Sequence, residues 1–524
     1  LTPREQLLAS LAHTAEWDVL IIGGGATGLG AAVEAASRGY RTLLVERSDF
    51  AKGTSSRSTK LVHGGVRYLE QRNLTLVLDA LRERGHMLRN APHLCHDRTF
   101  IVPAYSYLTL PYYGLGLKLY DALSGRFSLG PSKLLTRQET IDHLPGVVTE
   151  GLRGGVLYHD GQFDDSRYAI ALLRTFQDLG GTAINYLKAT RILQANQKVT
   201  GIRAEDAENT EGNTQFDIRA KVVVNATGVF VEDILEMDGE PRSGLLAISQ
   251  GTHFVLPGTF LPGNSALMVP KTADGRVLFA IPWHGSTVIG TTDEPVPAAT
   301  TEPHSLAKER LFLLDHIERY FGRRPQPEEI RSVWSGLRPL VRKGGGKTSA
   351  LSRDHTILVS PAGLVTVTGG KWTTYRRMGQ DAIDRAATVA ALPKVASRTP
   401  NLRLHGWNDD TAATPESDRV YGTDLGQLQA LSASEPTLDA LLDPRTPYRL
   451  REVVWAARQE MARTVEDVLA RRTRALFLDA RAAIAAAPAV SHLLARELGR
   501  TEAWREADLQ SFLALAQTYV FAGE

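Results

Sequence analysis

Gly23, Gly25 and Gly28 stand at GxGxxG spacing in the run IIGGGATGLGAA, and the next apolar run ends on Glu46. The glycines follow one apolar run and open a stretch of small residues with helical spacing. Strand, turn, helix and strand in about thirty residues is the context a dinucleotide site requires. The first glycine permits the turn, the second lets backbone approach a pyrophosphate, and the third lets helix and strand pack closely. Ala26 and Thr27 then begin a helix whose free N–H groups and positive dipole end face the phosphates. Glu46 is expected to accept hydrogen bonds from ribose hydroxyls. As a merely solvated strand-end carboxylate it would leave its spacing unexplained.

This signature leaves NAD and FAD open. Two later strand endings bear on the choice: Asn225-Ala226-Thr227-Gly228, and Thr368-Gly369-Gly370 before a helix that begins near Thr373 and Thr374. Each alone reads as a loop. Together they suit FAD, which spans more protein than NAD, and the second helix N-terminus would favour negative charge on a reduced flavin. No second GxGxxG provides an NAD(P)H domain, so the hydride is expected to come from a small substrate.

A third stretch is STKLVHGGVRYLEQ, residues 58–71. His63 and Arg67 flank Gly64, Gly65 and Val66, and a glycine pair marks a place where backbone approaches something closely.

These groups must be held by a chain of 524 residues, long enough for two or three domains. Lys+Arg number 60 against Asp+Glu 58, which argues against a nucleic-acid partner. The single cysteine, Cys95, excludes an internal disulfide framework or a thiolate metal site, and no metal is expected. No apolar run approaches a membrane span, and the first residues form a short amphipathic helix rather than a signal peptide. The aromatic stretch at 106–125 is expected to be buried; a patch dipping into a membrane interface is the minority reading.

The pattern predicts an α/β protein with three parts. A discontinuous FAD-binding Rossmann-like domain covers 15–90, 151–236 and 345–395. An inserted antiparallel-sheet substrate domain covers 91–150 and 237–344. From 396 to 524 the sequence turns helical and forms a C-terminal α-helical cap domain.

The motifs VLIIGGGATGLGAA, TSSRSTKLVHGGVRYLE, KVVVNATG, IPWHGSTVIGTTDE, SGLRPL, SRDHT and GGKWTTYR, in that order, resemble those of the FAD-dependent, quinone-linked glycerol-3-phosphate dehydrogenases. The run REVVWAARQEMARTVEDVLARRTR resembles the cap of the same family. The resemblance implies oxidation of sn-glycerol 3-phosphate to dihydroxyacetone phosphate, by hydride transfer from C2 to FAD N5, with the electrons passed to a membrane quinone. It places Thr54, Ser55, Ser56, Ser58, Lys60, Leu61, His63 and Gly64 along the cofactor, with Ala226, Thr227, Gly228, Gly370, Lys371 and Thr373. It assigns Arg67, Tyr68, Arg338 and Lys371 to the substrate. Two arginine forks and a compact lysine charge make a sensible receptor for a phosphate. His253 and Arg338 are the catalytic candidates, one as base and one to stabilise a developing alkoxide. His63 is the rival base, better suited to cofactor contact, and His284 reads as a surface residue at a hairpin turn.

The chain departs from the family pattern at Gln250, where lysine is frequent, and at Trp372, where a smaller aliphatic residue is common. Asp164-Asp165 reads as a helix cap rather than a catalytic carboxylate pair. Arg471-Arg472-Thr473-Arg474 reads as a solvated helix face or as inter-domain ion pairs, ahead of a lipid-phosphate contact. The resemblance further implies a cytoplasmic protein held peripherally at the inner face of the cytoplasmic membrane, and it leaves a homodimer open. Three rivals are an alpha-glycerophosphate oxidase using O2, an amine oxidase of the same superfamily, and a non-redox FAD-binding regulatory protein. Neither of the last two needs three cations around one anion.

Overall fold

The strand Trp17–Ile22 lies in the middle of a parallel sheet, where both faces are covered and an unbroken apolar run is required. The computed structural model describes residues 4–14, 16–65, 74–107, 109–208, 214–272, 275–342, 354–410 and 413–523. In this sheet Trp17–Ile22 pairs in parallel with Thr42–Val45 on one side and Gln215–Asn225 on the other. Thr182–Ile184 and Val365–Gly369 extend it in parallel, and His355–Val359 closes one edge antiparallel. Three glycine-turn motifs of the sequence therefore sit at the carboxyl ends of adjacent strands, the place where open α/β sheets bind ligands. The helices Ala26–Ser37, Asp165–Asp178 and Tyr375–Val389 supply apolar faces to one core against this sheet.

A second sheet is largely antiparallel. Leu246–Pro257 pairs with Ser332–Val341 on one side and Ser286–Gly290 on the other, and Cys95–Ala104 pairs with Gly154–Phe163. The short strand Leu61–Val62 joins its edge through Gln162 and Gly161. The sequence boundaries at 90 and 151 assign Leu61–Val62 and Gly154–Phe163 to the nucleotide-binding unit, whereas their hydrogen bonds belong to the second sheet. Pairing across about a hundred residues is set by register, which composition does not carry.

The C-terminal part is helical, with Leu450–Gln459, Ala480–Leu498 and Glu502–Gln517 around one core. Val255, Trp283, Val288 and Trp334 of the second sheet enter that core, so the helical part is packed onto this sheet. No helix among the described residues is long and apolar enough to cross a membrane.

Candidate active site

A cavity of about 600 Å³ opens over the carboxyl ends of the parallel strands. Gly23, Gly25, Ala26, Thr27, Glu46, Thr54, Ser55, Ala226, Thr227, Gly228, Gly370 and Lys371 line it. Close packing explains the first turn. A Cβ on Gly28 would lie 1.8 Å from the Gly23 carbonyl oxygen, and Gly23 itself has φ +111°. Any side chain at either place would push the turn off the strand. On Gly25 a Cβ would meet only the Ser55 hydroxyl at 3.1 Å, so that position faces the cavity.

Two side chains fix the rim of this turn. Ser55 Oγ accepts the Ala26 N–H at 2.8 Å, and Glu46 accepts the Gly24 N–H at 2.7 Å and the Ser48 N–H at 2.9 Å. Burial raises the Glu46 carboxyl above its ordinary value, and those two backbone donors only partly offset it. Thr54 Oγ1 donates to the Leu337 carbonyl at 2.7 Å, which ties the loop to the strand that carries Arg338. Thr227 Oγ1 donates to Asn225 Oδ1 at 2.8 Å.

The remaining residues expected at the cofactor, from Ser56 to Gly64 and at Thr373, do not line this cavity. Ser58 donates to Asp165 Oδ2 through its N–H at 3.0 Å and its hydroxyl at 2.7 Å. Lys60 is fully buried, and its Nζ donates to Asp165 Oδ2 at 2.7 Å and to the Ser56 carbonyl at 2.8 Å. The ammonium is also held over Trp334, 4.6 Å from the ring centroid. Burial pulls its pKa down to about 7 against the opposing pull of Asp165. Leu61 pairs with Gln162 in the second sheet. The His63 N–H donates to Thr373 Oγ1 at 3.4 Å, and the Gly64 N–H to the Tyr120 hydroxyl at 2.8 Å. A Cβ on Gly64 would lie 2.6 Å from that hydroxyl and from Leu81, so this glycine makes room for protein. Arg67 and Tyr68 lie outside the described residues.

His253 is buried on the strand Leu246–Pro257, directly across from Trp334. The two rings stack at 4.0 Å with a 16° tilt, and Nε2 lies 3.0 Å from Thr59 Oγ1. Burial first, then the charges of Lys60 and Arg338, hold the imidazole well below its usual pKa and therefore neutral. Arg338 faces the same strand at Ser249, and it donates to Thr291 Oγ1 at 3.0 Å and the Thr292 carbonyl at 3.1 Å. Pro339, its neighbour, lines the cavity together with Lys371.

Residues 18–376 match the FAD dependent oxidoreductase family, and residues 416–505 match the C-terminal domain of alpha-glycerophosphate oxidase. The mitochondrial glycerol-3-phosphate dehydrogenase of Rattus norvegicus is 36% identical over 543 residues, covering 97% of this chain and 74% of that protein. The mitochondrial enzyme of the same name from Arabidopsis thaliana is 37% identical, covering 98% and 88%. The X-ray structure of the Bacillus halodurans glycerol-3-phosphate dehydrogenase complexed with FAD superposes with a TM-score of 0.80 at 27% identity, covering 99% of this chain and 97% of that one. The chain belongs to the FAD-dependent glycerol-3-phosphate dehydrogenase family.

FAD is the cofactor of this family member, and the residues present fit it. The glycine turn leaves room at Gly25, Glu46 stands at the cavity wall, and the first residues of the helix, Ala26 and Thr27, line the same space. Arg47 and Phe230 are among the cavity residues not read from the sequence. Arg47 lies 3.9 Å over the Phe230 ring, and both line the cavity beside Glu46. The signal was present, since one follows the acidic strand end and the other follows the Asn225–Gly228 turn, but only folding brings them together.

Two expectations change. His284, read as a surface residue, is 3% exposed in its side chain and lies 3.4 Å from Asp164. Its N–H donates to Glu416 at 2.9 Å, so the helical part covers this hairpin turn. The aromatic stretch at 106–125, expected to be buried, presents Tyr107, Tyr112, Leu115 and Leu119 to solvent. Of the two readings of the arginine run at 471–474, inter-domain ion pairs hold: Arg471, Arg472 and Arg474 are buried and pair with Asp49 and Asp165 of the nucleotide-binding part. Asp164 caps the helix Asp165–Asp178, accepting the Arg167 N–H at 3.0 Å, as the sequence suggested.

Proposed function

We propose that this chain oxidises sn-glycerol 3-phosphate to dihydroxyacetone phosphate and passes the electrons to a quinone dissolved in a membrane. The observation that carries this reading is one cavity bounded by both the dinucleotide turn and Lys371, with the strand of Arg338 at its wall. The relatives named glycerol-3-phosphate dehydrogenase support the choice of substrate. Bound FAD supplies the hydride acceptor for C2.

The chain's own groups then have separate tasks. Lys371 and Arg338, with Arg67 and Tyr68, hold the dianionic phosphate and the hydroxyl. Arg338 favours the developing alkoxide. His253, kept neutral, retains a lone pair for the hydroxyl proton. An imidazolium there would be buried beside Lys60 and Arg338, so the proton must move on, and Thr59 is the partner on Nε2. The protein works at the inner face of the cytoplasmic membrane, attached peripherally.

A second reading has O2 as the acceptor, because the C-terminal match carries the name of alpha-glycerophosphate oxidase. Anaerobic mixing of the yellow protein with glycerol 3-phosphate is expected to bleach the flavin. Absence of bleaching would end the substrate assignment. Reoxidation of the bleached protein by a quinone analogue much faster than by air favours the dehydrogenase, and the reverse favours the oxidase.

A further inference from the structure

Asp165 is fully buried at the start of the helix Asp165–Asp178, and the loop at 56–60 is wrapped around its carboxylate. Oδ2 accepts the Ser58 N–H at 3.0 Å, the Ser58 hydroxyl at 2.7 Å and the Lys60 ammonium at 2.7 Å. Oδ1 accepts the Ser166 N–H at 2.8 Å and the Arg474 guanidinium at 2.9 Å. The same Arg474 nitrogen donates to the Ser56 carbonyl at 3.0 Å, and Lys60 donates to that carbonyl at 2.8 Å. Lys60 ends the turn at φ +64°, a conformation that a residue with a side chain adopts only where its surroundings hold it. One of the two cations on this loop therefore comes from the loop itself, and the other comes from the helical part, just before the short helix Ala475–Leu478. Arg474 is buried and lies 4.5 Å from the centroid of the Phe477 ring, so it depends on these acceptors in place of water.

The two ends of this loop reach the two halves of the site. Ser55 Oγ holds the Ala26 N–H of the nucleotide turn at 2.8 Å, and Thr59 Oγ1 lies 3.0 Å from His253 Nε2. Ser56 and Ser58, which Arg474 and Asp165 grip, are the chain neighbours of those two residues. Consecutive Cα atoms are fixed at about 3.8 Å, so a displacement of Ser56 or Ser58 is passed on to Ser55 and Thr59. We infer that Arg474 is a positioning residue for the active site: through Asp165 and the Ser56 carbonyl, the helical part sets where Ser55 meets the nucleotide turn and where Thr59 meets His253. The His253 half of the inference rests on the function proposed above, and the Ser55 half rests on FAD alone. Arg474 does not line the cavity, so it acts through the loop. Its neighbours Arg471 and Arg472 pair with Asp49, whereas Arg474 grips the loop backbone. The helical part thereby has a task in the reaction besides packing.

The test uses the full chain loaded with FAD and the variants Arg474→Met, Arg474→Lys and Ser58→Ala. FAD release is followed by the rise in flavin fluorescence on dilution, and turnover of glycerol 3-phosphate is followed with a water-soluble dye. Arg474→Met is expected to raise the release rate roughly tenfold or more, the effect of losing a charged hydrogen bond, and to lower kcat by a similar factor. KM should stay within about twofold, because Arg338 and Lys371 are untouched. Arg474→Lys should recover most of both losses, since a single nitrogen carries both bonds. Ser58→Ala keeps every charge of the cluster and removes only a hydroxyl, so it serves where Arg474→Met does not fold. It should move both readouts in the same direction by a smaller factor. A lower urea midpoint for Arg474→Met, with release rate and kcat unchanged, would make Arg474 a structural tie only and overturn the inference, as would unchanged readouts in Ser58→Ala. A loss confined to KM would put the loop at the substrate instead of behind His253 and would also overturn it. If glycerol 3-phosphate does not bleach the unaltered protein, the proposed substrate falls, and the release rate still decides whether Arg474 positions Ser55.

Discussion

Arg472 and Asp49 meet through two parallel N–H···O bonds of 2.7 and 2.8 Å, with both side chains fully buried and a sequence separation of 423. Asp49 follows the Glu46 strand end that lines the cofactor cavity, and Arg472 belongs to the helical part. Burial alone would raise the Asp49 carboxyl, but Arg472 and then Arg471 more than reverse this and hold it at about 2. The pair thus locks the helical part to the strand end at the cavity.

Asp49→Asn removes the carboxylate that two buried guanidinium groups share; Arg471 keeps Glu466 and Asp467, whereas Arg472 keeps only the more distant Glu460. Removing one partner of such a pair costs about 3–5 kcal/mol. Urea unfolding of the FAD-loaded protein should move its midpoint down accordingly, and FAD should be released earlier in the transition. An unchanged midpoint would mean that the network contributes nothing to holding the parts together.

The substrate assignment predicts a contrast between two substrates. Arg338→Leu and Lys371→Met each remove a cation from a phosphate taken out of water, a loss of roughly 2–5 kcal/mol. They should lower kcat/KM for glycerol 3-phosphate about 30-fold or more. Slow oxidation of glycerol, which has no phosphate, should fall much less, and the flavin spectrum should stay intact. Equal losses on both substrates would move these residues to the chemical step.

His405 bridges Asp178 at 2.6 Å and Asp424 at 2.9 Å, tying the helix Asp165–Asp178 to the start of the helical part. Burial pulls the imidazolium down, but the two carboxylates together outweigh it and raise the group to about 9. Between the ordinary value of 6.5 and that raised value, the folded protein holds a proton that the unfolded chain has lost. Its stabilising contribution is therefore complete below about pH 6.5 and fades as pH rises through about 9. Thermal midpoints across this window should fall less steeply for His405→Gln than for the unaltered protein. Identical slopes would remove His405 as the source of the dependence.

Local sequence determined the nucleotide-binding turn, because strand, glycine spacing, helix start and acidic strand end all lie within one βαβ unit. The helix cap at Asp164 and the helical character of the C-terminal part were legible for the same reason: each depends on neighbours a few residues away. The family motifs carried the rest of the functional reading, since each is a short contiguous run.

Tertiary structure decided what depends on distant partners. Whether Lys60 faces the cavity or Asp165, and whether the arginine run at 471–474 meets water or Asp49, is set by packing between parts of the chain far apart in sequence. The hairpin turn at His284 carries a surface composition, yet the helical part covers it. The helix Thr109–Ser124 has the composition of a core helix, yet one whole apolar face stays outside. Periodicity reveals which residues share a face, but only the assembled molecule determines what that face meets, because burial is a property of the neighbours and not of the residue.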